Sequence, residues 1–242
     1  MAATTPHRPG PPRRDHPLLA AARAAAARGW PVFPVHPYAK HPAVTDWEHQ
    51  ATCDPDTLAT WWRVAPYNVG IACGPAGLVV IDCDDGHGHR PPPDWAAHEV
   101  TGGRDVLAIL AADHGTAVTA TYTVATPGGG EHRYHLAPPG PPLRNTVGAL
   151  GWRIDTRAAG GYVIAAGSTR RVTGRTLRYT VINPGLLTPL PDWILTALTR
   201  PPAPPGAPTP TQAGSAVARV DAWVGAAVAG EAHAVREAVP GR

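Results

Sequence analysis

Leu78-Val79-Val80-Ile81-Asp82-Cys83-Asp84-Asp85-Gly86 is the stretch on which the reading of this chain turns. Its apolar run predicts a strand that buries its length and then ends in carboxylates. Side chains alternate along a strand, so Asp82 and Asp84 share a face, about 6–7 Å apart. Two like charges held that close repel each other, and a divalent cation relieves the repulsion. An ordinary strand end running into an acidic turn is the plain alternative. His87 and His89 follow in a Gly-rich loop and read as solvated.

Working outward, Asn68–Cys73 precedes this strand across the Gly74-Pro75-Ala76-Gly77 turn and reads as another strand. Before it, Asp54 caps a helix with Pro55 at its first position. Trp30–Val35 reads as an edge strand, because its prolines donate no ladder hydrogen bond. A helix is predicted over residues 17–28, stopped by Gly29. On the other side, Asp105–His114 reads as a helix ended by Gly115. Thr119–Ala125 and His132–Leu136 flank Thr126-Pro127-Gly128-Gly129-Gly130 as a hairpin. Gly151–Thr156 and Tyr162–Ala165 read as a further strand pair around Gly160-Gly161, Val172–Tyr179 as a last strand, and Pro191-Asp192-Trp193 as the start of a short helix. Strands mixed with helices in this order predict an α+β fold.

Two more segments carry chemistry. The glycines of Thr126–Gly130 let backbone N–H groups come close to a bulky anion, and His132 and Arg133 follow at the start of a strand. Alternation sends only one of those two toward any site; a flexible hairpin with a solvated histidine is the plain alternative. His132 and His135 fall on opposite faces, which argues against a shared zinc ion. In Arg153-Ile154-Asp155-Thr156-Arg157, a carboxylate in an otherwise buried strand needs a partner. Arg153, Arg157 or a metal shared with Asp82 and Asp84 each satisfies it. Lys40 is either a solvated loop lysine or a phosphate contact.

Composition bounds the rest. The 242 residues are 43% hydrophobic and 16% charged, with 26 Gly and 30 Pro, the balance of a globular protein with disordered patches. No apolar run nears the roughly 20 residues that span a bilayer. Leu18–Ala27 is interrupted by Arg23 and leads into no cleavage site, so it reads as an amphipathic helix rather than a signal, and a cytoplasmic location without membrane contact is expected. Cys53, Cys73 and Cys83, with no C-x-x-C spacing, exclude a disulfide scaffold and a cysteine zinc ribbon and fit a reducing cytosol. Net charge is +3, a mild bias that permits nucleic acid without demanding it. Lys40 is the only lysine beside 20 arginines. Residues 1–16 read as a disordered tail, 17–200 as the functional domain and 201–214 as a Pro-rich linker. Residues 215–242 read as an isolated C-terminal helix that needs a neighbouring domain or partner to cover its apolar face.

From Gly29 to Trp193 the chain resembles the bifunctional DNA primase/polymerase (prim-pol) family of the archaeo-eukaryotic primase superfamily. The matching residues are Gly29–Val35, Lys40–Pro42, Trp47, Ala51–Pro55 before Trp61-Trp62, Asn68–Ala72, Gly77–Asp84, Thr126–His132 and Ile154–Ser168. The resemblance implies a primase-polymerase fold, with an RRM-like catalytic half, an N-terminal α/β half and a cleft between them. It assigns Asp82, Asp84 and Asp155 to two Mg²⁺ or Mn²⁺ ions. It gives His132 to the phosphates of the incoming nucleotide, and it puts Arg157, Lys40, Gly129, Gly130 and Ser168 in motif positions lining the site. The chain departs from the family pattern at Gly128, where serine is common, and at Ala165-Ala166-Gly167-Ser168, where A-P-P-S is common. The terminal helix resembles the start of the helical region that often follows this domain, so the chain is expected to be a fragment or a shortened protein.

The function expected from this is primer synthesis and extension on single-stranded DNA from NTP or dNTP substrates, by two-metal nucleotidyl transfer. The setting would be replication of a plasmid, phage-like or integrative element, with a helicase in cis or in trans. The competing readings are a catalytically inactive, nucleic-acid-binding replication-initiator module and a D-x-D sugar-nucleotide transferase. The transferase leaves Asp155 and the Gly-Gly-x-His loop without a role.

Overall fold

The computed structural model describes residues 16–200. The expected tail, apart from His16, and the linker and C-terminal helix expected over residues 201–242 lie outside the described residues. The N-terminal part runs α1 (Pro17–Ala26), β1 (Val32–Val35), α2 (Trp47–Gln50), α3 (Pro55–Val64) and β2 (Asn68–Ala72). The centre holds β3 (Leu78–Cys83), α4 (Pro93–Ala96), α5 (Gly103–Asp113), β4 (Thr123–Ala125) and β5 (Glu131–Leu136). Then come β6 (Thr146–Gly151), β7 (Ile154–Arg157), β8 (Tyr162–Ile164), β9 (Thr169–Val172) and β10 (Arg175–Arg178). The last elements are β11 (Thr180–Asn183), β12 (Thr188–Pro189) and α6 (Asp192–Thr199).

Local chemistry starts the elements where the sequence indicates. Asp54 accepts the Thr57 N–H at 2.7 Å and Pro55 opens α3, whose Leu58 and Trp62, one turn apart, are buried. Leu18, Ala22 and Ala25 form the buried stripe of α1, and Gly29 (φ 77°) takes the left-handed turn that stops it. The Thr126–Gly130 turn does join an antiparallel pair, β4 and β5.

The strands form two main sheets and one isolated hairpin. β1, β2 and β8 make a three-stranded sheet with β1 at its edge, as its prolines predict. The larger sheet runs β11-β4-β5-β3-β7-β6, with β12 continuing alongside β5 where β4 ends. β3 is its central strand, and all six of its residues are buried. Leu78 and Val80 face a core shared with α1, α3 and the smaller sheet; Val79, Ile81 and Cys83 face a second core with Val106, Leu107 and Ile194. The fold is therefore mixed α+β.

The strands on either side of Gly74–Gly77 form as expected but do not pair with each other: β2 pairs with β1 and β8, while β3 pairs with β5 and β7, so this turn carries the chain from one sheet to the other. Two expectations are corrected here. The pair expected around Gly160-Gly161 is likewise split, β7 staying beside β3 and β8 joining β2. Residues 172–179 are not one strand. Thr173 and Gly174 both take positive φ (46° and 79°), which folds Thr169–Arg178 into the two-stranded hairpin β9–β10. Strands β6, β11 and β12 and the single-turn helices α2 and α4 carry too little periodic pattern to be read from sequence.

Candidate active site in the cleft between the sheets

Register builds the site. Asp82 on β3 lies directly opposite His132 on β5 and directly opposite Asp155 on β7, so one row across three strands reads His132–Asp82–Asp155. Cross-strand neighbours share a face. That face looks toward the smaller sheet, across a cleft of about 270 Å³ whose lining includes Lys40, Asp82, His132, Arg157, Tyr162 and Tyr179. The alternation of β5 puts Arg133 on the other face, where it pairs with buried Glu131 at 2.5 Å. His135 also turns away, against Thr188 and the Pro189 carbonyl.

The carboxylates are unequally partnered. Arg157 Nη2 stands 2.9 Å from Asp155 Oδ2 and 3.7 Å from Asp82 Oδ2. Asp155 Oδ1 also accepts the Gly148 N–H at 3.1 Å, at the bulge where β6 slips register against β7. Asp82 is met on its other side by His132 Nε2 at 3.5 Å. Asp84 lies just beyond the end of β3; its backbone is bonded to Arg153 and Gly103, but its carboxylate has no hydrogen-bond or ion-pair partner among the described residues. Burial raises both Asp82 and Asp84 above the ordinary carboxylate range; Asp155 adds to this at both, and Asp82 adds further at Asp84.

Burial drives the His132 pKa down to about 3, helped by the cations of Lys40 and Arg157, so at neutral pH its imidazole is uncharged. Its Nδ1 is buried without a hydrogen-bond partner. Tyr179, its hydroxyl pushed up to about 12 mainly by burial, packs its ring 5.8 Å from that of His132, tilted by 37°.

Several residues that sequence reasoning missed hold the cleft in shape. Asn145 accepts the Ala158 N–H at 2.8 Å and donates to the Gly160 carbonyl at 3.1 Å. Glu48 Oε1 accepts the Gly160 N–H at 3.1 Å, and Gly161 leaves no room for a Cβ against the Asn145 side chain. Tyr162 Oη donates to the Lys40 carbonyl at 2.9 Å, fixing the backbone of the one lysine over the carboxylates. Their only sequence signal was proximity to the Gly160-Gly161 and Lys40 motifs.

Asp84 and Asp155 are not among the residues lining the cleft, and the remaining expected residues also sit apart from that lining. Gly129 and Gly130 pack on the end of β3, Gly129 beside the Asp85 side chain and Gly130 against the Cys83–Asp84 backbone. Ser168 is fully buried, and its Oγ accepts the Val69 N–H at 3.0 Å. Its visible work is to tie β2 to the turn before β9.

Whether the group fits a divalent cation can be tested on its donors. Among the described residues no three His, Cys, Asp or Glu side chains converge as a ready-made cage. The donor chemistry is nonetheless that of a hard cation: three carboxylates on β3, just beyond its end and on β7, two of them raised chiefly by burial with a neighbouring carboxylate adding to it, and one whose side chain has no partner. Arg157 now stands between two of them, so the site already balances its charge with a cation. On donor type and charge, the residues fit Mg²⁺ or Mn²⁺.

Burial of the two histidines predicts an acid-sensitive fold. His135 is lowered to about 4 and His132 to about 3, whereas the unfolded chain takes up these protons near pH 6.5. Below pH 6.5 the unfolded state therefore binds more protons, and stability falls with pH until the folded values are reached. The urea midpoint is expected to drop steadily from pH 7 to 4, His135 alone accounting for about 3 kcal/mol at most. His135→Gln should flatten that slope; an unchanged slope refutes the assignment.

No helix among the described residues is long and apolar enough to cross a membrane. All three cysteines are free, Cys73 and Cys83 buried with thiols pushed up to about 12 and Cys53 exposed. No curated protein matches the chain. The model of one family, described as bifunctional DNA primase/polymerase, N-terminal, matches residues 22–193. That span begins inside α1, ends inside α6 and contains every residue of the cleft, and the chain belongs to the bifunctional DNA primase/polymerase N-terminal family.

Proposed function

We propose that this chain is a DNA-dependent primase/polymerase that makes primers and extends them on single-stranded DNA, in the cytoplasm, during replication of a plasmid, phage-like or integrative element. Family membership supports primase/polymerase activity in general. The observation that carries the finer reading is the cross-strand row His132–Asp82–Asp155, facing a cleft that also holds Lys40 and Arg157. In this reading the larger sheet is the RRM-like catalytic half, and the smaller sheet with α1 and α3 is the N-terminal α/β half. A helicase in cis or in trans would supply the single strand.

Asp82, Asp84 and Asp155 would hold the Mg²⁺ or Mn²⁺ ions. Their chemistry when bound would be to lower the pKa of the attacking 3′-hydroxyl and to steady the triphosphate and the leaving pyrophosphate. His132, uncharged, donates its N–H to a phosphate oxygen without adding a cation to a site that already has two. Lys40 and Arg157 offset charge that develops on the triphosphate as the bond to pyrophosphate breaks. The Tyr162 and Tyr179 rings wall the cleft and limit water around the reacting groups. Gly129 and Gly130 hold the turn before β5 against Asp84 and Asp85, the Gly129 N–H donating to the Thr126 carbonyl at 3.1 Å within that turn.

The test is nucleotide incorporation on a single-stranded template, with and without a labelled primer, in Mg²⁺ or Mn²⁺. Metal-dependent extension is expected, with product also in the primer-free arm, and excess chelator should abolish both. Salt-sensitive DNA binding with no product in any arm would overturn the catalytic reading in favour of a binding module.

A further inference from the structure

From Thr156 to Pro191 the chain has five arginines and no Asp or Glu, and four of these arginines lie on the β9–β10 hairpin. The hairpin pairs with neither main sheet. Its two-residue turn of positive φ matches the natural strand twist, so it is a short, stiff arm. Cross-strand pairing puts Arg170 and Arg175 on one of its faces and Arg171 and Arg178 on the other.

Beside the arm stands Tyr38, 46% exposed and held at φ 60°, a conformation that bulky residues avoid. The Arg171 guanidinium lies 5.1 Å over one side of its ring. A single buried amide locks the arm to this tyrosine's loop: Asn68 Nδ2 donates to the Ala39 carbonyl at 3.2 Å and to the Thr169 carbonyl at 2.7 Å, and Asn68 Oδ1 accepts the Thr169 N–H at 2.9 Å. Ala39 adjoins Lys40 of the cleft, and Arg170 lies near enough to Tyr179, a wall of the cleft, to act on its hydroxyl. Cations, an exposed ring and the cleft are thus one rigid unit.

The geometry points to the β9–β10 arm and Tyr38 as the track that leads single-stranded DNA into the cleft, arginines meeting successive phosphates while Tyr38 stacks an unpaired base. Basic side chains interleaved with an exposed aromatic ring fit a single strand, because a duplex keeps its base faces to itself. The absence of carboxylates along this segment removes the repulsion a phosphate backbone would meet. Calling the strand a template rests on the primase/polymerase reading above; the track itself does not.

Binding of a fluorescein-labelled oligothymidine, followed by anisotropy from about 50 to about 200 mM salt, tests this. Arg171→Ala/Arg178→Ala, on the face that meets Tyr38, is expected to weaken binding roughly tenfold and to lower the salt slope by about 1.4, the value for two lost phosphate contacts to a single strand. Tyr38→Ala should weaken binding by a similar factor with the slope unchanged, since stacking releases no counterions. All three positions are at the surface, so thermal midpoints should stay at the wild-type value, which separates lost contact from lost fold. Wild-type affinity and slope in the arginine variant would overturn the track, as would a duplex that outcompetes the single strand for the wild-type protein. If the variants lose DNA while the wild type incorporates no nucleotide, the track stands and the polymerase reading fails. If the wild type incorporates nucleotides and the variants bind DNA unchanged, only the track fails.

Discussion

Asp82→Asn is expected to cut nucleotide incorporation at least about a thousandfold while leaving the folded protein as stable as wild type or more so. The two effects have one cause. Asp82 is the centre of the row, flanked by His132 and Asp155, and burial together with the Asp155 charge disfavours its ionised form. A neutral amide of the same shape removes that repulsion from the folded state. It also removes one of the charges that would hold a divalent cation. The sign of the stability change follows from the raised pKa: an ionised group that folding disfavours destabilises the fold at neutral pH, so neutralising it raises the midpoint. Loss of Arg157's longer ion pair at 3.7 Å opposes this, but Arg157 keeps Asp155 at 2.9 Å. Primer extension and a thermal melt on the same preparation decide the matter. Retained incorporation would remove Asp82 from the chemistry. Lost incorporation with a sharply lowered midpoint would make it a structural residue instead.

Gly103→Ala should destabilise the protein by about 3 kcal/mol, although helix propensity alone predicts a gain of up to about 1 kcal/mol. Gly103 is the first residue of α5, and its N–H donates to the Asp84 carbonyl at 2.8 Å. A Cβ there would lie inside contact distance of the Arg153 carbonyl oxygen, 2.8 Å from its carbonyl carbon and 3.2 Å from the Cys83 Cα. All are backbone atoms, so no side chain can swing away. The same Arg153 oxygen accepts the Asp84 N–H at 2.9 Å. Moving it disturbs the backbone that presents Asp84. On the other side, Gly130 is packed against the Cys83 carbonyl, 3.1 Å from the Asp84 Cα as judged from where its own Cβ would stand. The carboxylate end of β3 is therefore gripped between two glycines. Chemical denaturation measures the first effect, and extension activity at a temperature where the variant stays folded measures the second. A stabilised Gly103→Ala protein would show that this grip yields.

What was legible in the sequence is what short-range sterics encode. Alternation along Leu78–Asp84 put Asp82 and Asp84 on one face and told His132 from Arg133 and His135 without any structure. The Asp54 cap, the Gly29 and Gly115 stops and the Thr126–Gly130 hairpin followed from residues a few positions apart. Family resemblance tied Asp82, His132 and Asp155 to one chemistry, but it gave no geometry. The tertiary structure decided that these three stand in register across β5, β3 and β7, and that Arg157 lies between two carboxylates. It also decided that Glu48, Asn68 and Asn145 hold the loops around them, through hydrogen bonds such as those joining residues 101 and 112 positions apart. Turns and caps depend on bonds that a local segment makes by itself. The choice of β3's partners depends on which pairing buries both of its faces and satisfies both of its edges at once, and that sum exists only when the whole chain is folded.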